Sequence, residues 1–117
     1  RKIFMKYRLK NFLDDRGLLY SFYKKNFRFK RVFFISGFKN KVRGDHAHKT
    51  LTQVLINIDS KSEIKIGKKK MKTFKFNKPG EYIICNKKNW LKIHFKSKGT
   101  IAVLCDEKYD KDDYIYR

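Results

Sequence analysis

Residues 43–53 read RGDHAHKTLTQ, which sets two imidazoles, His46 and His48, one residue apart between Arg43 and Lys49. In an extended strand residues i and i+2 face the same side, so the two rings project into one cavity while Asp45 and Ala47 face the other way. Such a pair can hold a divalent metal, move a proton, or fill a core as hydrogen-bonded side chains. A metal-binding pair in a β-barrel is ordinarily completed by a carboxylate a few residues on and by another histidine on a distant strand. Here Gln53 stands in the carboxylate's place, and a neutral amide between cations is a poor ligand for a divalent ion. The cations favour proton transfer instead, because positive neighbours disfavour imidazolium and keep a histidine neutral and able to accept a proton near pH 7. The spacing thus favours a basic pocket suited to an anionic ligand, with a general base in its wall, over a metal site or a pair of core fillers.

Strands must position that pair, and the chain supplies them. RVFFISGFKNKVR is rich in β-branched and aromatic residues, breaks at Gly37 and resumes after Asn40, which predicts strand, turn, strand. TLTQVLINI alternates like a half-buried strand, SEIKI and KTFKF repeat the alternation, and Pro79-Gly80 punctuates before EYIIC, LKIHF and TIAVLC. Only the N-terminal stretch and DEKYDKDD near the end offer a turn of helix, and neither has an apolar stripe at helical spacing. The expectation is one all-β domain over residues 1–117, a small sandwich or barrel.

A chain of 117 residues with 41% hydrophobic and 16% aromatic residues has the material for one packed core, despite 36% charged residues. Its formal charge of +20 draws anions, but the lysines are scattered singly or in short runs, which reads as a solvated surface rather than a nucleic-acid tail. The cations and aromatics interleaved in YSFYKKNFRFKR would suit a single strand, yet strand burial accounts for the aromatics more simply, so no nucleic-acid partner is expected. Cys85 and Cys105 lie in apolar runs without CxxC spacing and read as buried, reduced thiols. With no apolar leader and no apolar run near the ~20 residues needed to cross a bilayer, a cytoplasmic location away from membranes is expected.

RGDHAHKTLTQVL resembles the RGxHAHKxLxQ motif of the sugar 3,4-ketoisomerases, small cupins that act on dTDP-4-dehydro-6-deoxyglucose. Other segments agree in order. DDRGLL is similar to that family's DxRGxL, NFRFKRVFFI to the strand leading to its RVYYI, the end of NKKNW to the tryptophan of its PPxxW, and YDKDDYIYR to its closing YDExDYIR. The resemblance spans nearly the whole chain. It implies a dimeric jelly-roll cupin, without metal or other cofactor, that moves a ketone from C4 to C3 of a dTDP-linked 4-keto-6-deoxyhexose on the way to a surface glycan such as lipopolysaccharide. By the same resemblance His48 is the base at C3, His46 its partner in proton handling, and Arg43 an electrostatic contact. Arg16, Arg31 and Lys49 are the candidates for the diphosphate, with Gln53, Trp90 and His94 as further substrate contacts.

The chain departs from the family pattern where a phenol is expected: Phe33 and Phe34 replace the tyrosine pair, and NKKNW lacks the paired prolines, with Leu91 where a basic residue commonly follows the tryptophan. A module that binds the nucleotide sugar without chemistry is the alternative these departures raise.

Overall fold

The computed structural model describes residues 4–116, and almost all of its regular structure is strand. The N-terminal stretch, where the sequence offered a turn of helix, is extended: β1 (Lys6–Arg8), β2 (Lys10–Asp14) and β3 (Gly17–Ser21). β2 and β3 pair only with each other, from Lys10 opposite Ser21 to Asp14 opposite Gly17. This hairpin leaves Phe12, Leu13, Leu18 and Leu19 in solvent, Leu13 at 77% exposure.

β4 (Arg31–Gly37) and β5 (Val42–His48) follow as the sequence predicts, joined through Asn40 at φ 67°. They do not pair with each other. The next strands are β6 (Gln53–Asn57), β7 (Ser62–Gly67), β8 (Met71–Phe76), β9 (Glu81–Cys85), β10 (Trp90–Phe95) and β11 (Gly99–Cys105). A 3-10 turn at Lys111–Asp113, where DEKYDKDD suggested one, leads into the two-residue β12 (Tyr114–Ile115). Two five-stranded sheets result, in the orders β1-β9-β6-β11-β4 and β12-β5-β10-β7-β8, each antiparallel throughout. The turn at Asn40 therefore carries the chain from the edge of the first sheet into the second, and the architecture is a small jelly roll.

The sheets pack through Leu55, Ile64, Ile66, Phe76, Ile83, Ile93, Phe95, Ile101 and Val103, all nearly or wholly removed from water. Burying side chains of this kind stabilises the fold by about 1.5–3 kcal/mol each before conformational entropy is subtracted. One strand departs from its pattern: β6 is buried at every position rather than half-buried. Its inner residue Leu55 faces the barrel, while Val54 and Ile56 lie under Leu9, Tyr20, Phe22 and Phe27. The N-terminal segment thus covers the first sheet from outside, and strand burial claims three of the aromatics in YSFYKKNFRFKR. Both cysteines are buried free thiols, and burial pushes the Cys85 thiol up to about 12.

Candidate active site

Toward the end of the barrel where β5 finishes and β6 begins, side chains from both sheets line a pocket: Phe33, Ile35, Arg43, His46, His48, Gln53, Leu55, Leu91, Ile93, Val103 and Tyr114. Its floor is hydrocarbon, shared with the core. One wall is β5, whose histidines face the same side, as strand geometry requires, with ring centroids 4.9 Å apart and planes nearly perpendicular.

Arg43 should not share that wall in a regular strand, since it stands three positions before His46, an odd offset. A bulge puts it there. On β10, Ile93 pairs with Arg43, Lys92 with Gly44 and Leu91 with His46, so Asp45 is an extra residue without a partner. Gly44 and Asp45 both take left-handed conformations, φ 84° and 65°, which add one residue of spacing and turn Arg43 to the histidine face. Trp90 Nε1 donates to Asp45 Oδ1 at 2.9 Å, fastening the bulge from the outer side. A Cβ on Gly44 would lie 2.9 Å from the Leu91 carbonyl oxygen, so glycine is required by space as well as by φ. Gly44→Val should lower stability by about 2–3 kcal/mol in chemical denaturation, because a β-branched residue fits neither constraint.

Both histidines are held below their ordinary 6.5, and so are uncharged at neutral pH. Burial is the main cause for each. His46 adds to it at His48, while Asp113 opposes it there and the Gly44 backbone and Asp45 oppose it at His46. The sequence argument named Arg43 and Lys49 as the cause, and burial takes their place. Arg43 and Lys49 are not what depresses these groups, and of the cations only Arg31 acts on His48, as its smallest influence.

Arg31, the first residue of β4, lies at the pocket border. Its guanidinium carbon is 5.0 Å from the Phe33 ring centroid and 5.6 Å from that of Tyr109, within cation–π range. One nitrogen donates to Cys105 Sγ at 3.6 Å, Nε is buried without a partner, and among the described residues no carboxylate pairs with it. Gln53 is buried in the pocket lining, with Nε2 at 4.0 Å from Cys105 Sγ.

Four of the residues named from sequence stand elsewhere. Lys49 follows His48 directly and is exposed, turned from the pocket by strand alternation. Trp90 and His94 do share a face of β10, but Leu91 and Ile93 are the residues of that strand that line the pocket, so the other two look outward. Trp90 serves the bulge instead. Arg16 sits at the β2–β3 hairpin, where its guanidinium pairs with Asp14 in solvent, and it is not among the residues that line the histidine pocket.

Sequence reasoning missed Tyr114, whose ring lies 4.6 Å from His46 and 4.5 Å from His48, and whose phenol burial pushes above its ordinary value. It reaches them because β12 pairs with β5, Tyr114 opposite His48. Its neighbour Asp113 was missed too. The signal lay in the closing YDKDDYIYR, which carried the resemblance but no assigned role; its last residue, Arg117, is outside the described residues. Of the two phenylalanines at the tyrosine positions, Phe33 lines the pocket and Phe34 is 63% exposed on the other face of β4. Only one of the two departures touches the site. Among the described residues no group of three or more His, Cys, Asp or Glu is placed to hold a metal ion.

The family model described as FdtA, WxcM-like, C-terminal matches residues 4–117. A TDP-4-oxo-6-deoxy-alpha-D-glucose-3,4-oxoisomerase from Aneurinibacillus thermoaerophilus is 31% identical over 112 residues, covering 91% of this chain and 81% of that protein. The crystal structure of WlaRB, a TDP-quinovose 3,4-ketoisomerase from Campylobacter jejuni, superposes with a TM-score of 0.90 at 29% identity over 100% of this chain and 95% of the other. A mutant of the 3,4-ketoisomerase QdtA from Thermoanaerobacterium thermosaccharolyticum, in complex with TDP-4-keto-6-deoxyglucose, superposes with a TM-score of 0.87 at 28% identity over 97% and 87%.

Proposed function

The chain belongs to the FdtA family, WxcM-like, C-terminal, and from that membership we propose that it is a 3,4-ketoisomerase of a TDP-linked 4-keto-6-deoxyhexose. The observation that carries the reading is the wall of β5: two uncharged imidazoles 4.9 Å apart with Arg43 turned to their side by the bulge.

The reaction needs a base near C3, stabilisation of negative charge on oxygen, and a proton returned to C4. His48, the more deeply buried imidazole, takes the C3 proton, the electrons move toward the C4 carbonyl, and an enediol or enediolate forms. Collapse toward a C3 carbonyl with proton delivery at C4 completes an isomerisation in which nothing is oxidised or reduced overall. His46 handles the second proton, and Arg43 faces the developing oxygen charge. Arg31 offers a guanidinium without a carboxylate partner to the diphosphate, and its planar fork suits phosphate oxygens. The proposal places residues 1–117 in one cupin domain acting in the cytoplasm; no described helix is long and apolar enough to cross a membrane. It also includes a homodimer. The hairpin formed by β2 and β3 presents Phe12, Leu13, Leu18 and Leu19 to solvent, an apolar surface that a second copy would cover.

Incubation with TDP-4-keto-6-deoxyglucose in D₂O, followed by proton NMR, tests the reading. The expected spectrum shows loss of the C3 proton signal, a 3-keto product and deuterium at C4. One observation favours a second reading, a binding module without chemistry: Phe33 lines the pocket where the family pattern has a tyrosine. TDP binding with no change in the sugar over days would select it.

A further inference from the structure

The carboxylate of Asp113 stands behind His48 on the C-terminal segment. Oδ2 is 3.3 Å from His48 Nδ1, and the two side chains are 9% and 8% exposed. The pair does not make hydrogen-bond geometry as it stands: Nδ1 is fully buried and hydrogen-bonded to nothing, and this carboxylate is the one charged group within ion-pair reach of it among the described residues. The carboxylate is held by Thr50 and the backbone behind it by Lys49. Oδ1 accepts from the Thr50 backbone N–H at 2.9 Å and from Thr50 Oγ1 at 2.7 Å, and the Asp113 carbonyl accepts from Lys49 N–H at 2.8 Å. Pairing of Tyr114 with His48 fixes the register of the whole arrangement.

We infer that Asp113 is a positioning residue that holds His48 in the tautomer with its proton on Nδ1, leaving Nε2 bare toward the pocket. The inference rests on the ketoisomerase reading for its purpose and deepens it. A neutral imidazole carries one N–H and one lone pair. A bare Nδ1 would set its lone pair against a buried carboxylate, whereas Nδ1–H gives that carboxylate a donor, so burial and charge select one form. When Nε2 takes a proton from carbon, the same carboxylate stabilises the imidazolium, a division of labour that histidine–aspartate pairs use on unrelated folds.

The test begins with the unaltered protein, so that no variant need fold. Long-range proton–nitrogen correlation of ¹⁵N-histidine-labelled protein should show His48 with a pyrrole-type Nδ1 and a pyridine-type Nε2; the reverse pattern overturns the inference. Asp113→Asn is the second arm. Thr50 N–H can only donate, so the amide oxygen stays on Thr50 and the amide N–H₂ turns to His48, which forces Nδ1 bare and the proton onto Nε2. The nitrogen signals of His48 should exchange character, and kcat should fall about 10- to 100-fold while TDP affinity holds. Unchanged signals, or exchanged signals with kcat intact, overturn the role. If the unaltered protein shows the expected tautomer but isomerises no sugar, the ketoisomerase reading fails and the tautomer assignment stands.

Discussion

His48→Asn should leave a folded protein that binds TDP and isomerises the keto sugar about 10³-fold more slowly, the loss expected when a positioned base is removed from a proton abstraction. Asparagine fills much of the imidazole's volume and keeps a polar tip, so the apolar floor of Leu55, Leu91, Ile93 and Val103 has no reason to collapse. What disappears is the nitrogen lone pair. Deuterium exchange at C3, read by proton NMR, should fall in parallel with turnover, because both need the same proton removed. A variant that exchanges C3 at the parental rate would move the base elsewhere, with His46 the first place to look. The pH profile of the unaltered enzyme carries a related expectation. Burial holds both imidazoles below their ordinary 6.5, so the free enzyme keeps its base unprotonated as pH falls through that value. The plateau of kcat/KM should therefore extend to the acid side of 6.5 before it declines.

Arg31→Met should weaken TDP binding by about 10²-fold, the worth of one or two charge-assisted contacts to phosphate. The argument is one of unspent charge. Most of the described cations also lack a carboxylate partner but stand in solvent, whereas Arg31 is half-buried against aromatic faces and a thiol, with a buried Nε that has no partner. Keeping a partly buried cation so arranged costs the free protein stability. Methionine supplies similar length and lies comfortably between Phe33 and Tyr109, so the variant should melt no lower than the parent while calorimetry reports the loss of affinity. Equal TDP affinity in the two proteins would remove Arg31 from the diphosphate site and leave its position to packing alone.

The strands from Arg31 to Cys105 were legible because their apolar periodicity is set by burial, and burial is what the barrel imposes. The histidine pair was legible for the same reason: strand geometry puts i and i+2 on one side whatever the fold. Other features were hidden where one element's environment depends on another distant in sequence. β6 looks half-buried by pattern, and only the N-terminal segment lying across Val54 and Ile56 closes its second face. His94 and Trp90 keep the shared face expected of a strand, but sequence does not say which side of β10 the barrel encloses. Asp113 and Tyr114 reach the histidines through a pairing of two residues, too short to leave a periodic signal. Arg43 was placed at the site by its nearness in sequence and by family resemblance, not by strand geometry. By strand parity it belongs on the opposite side, and the bulge that resolves the conflict is written in Gly44 and Asp45, where a left-handed backbone is cheap.

That extra residue makes β5 a jointed tool. Upstream of the joint the strand presents charge, downstream it presents imidazoles, and the two halves keep separate registers with β10. A change on one side of the joint need not shift the other side against β10, so the guanidinium of Arg43 and the two imidazoles keep their alignments independently within a single strand.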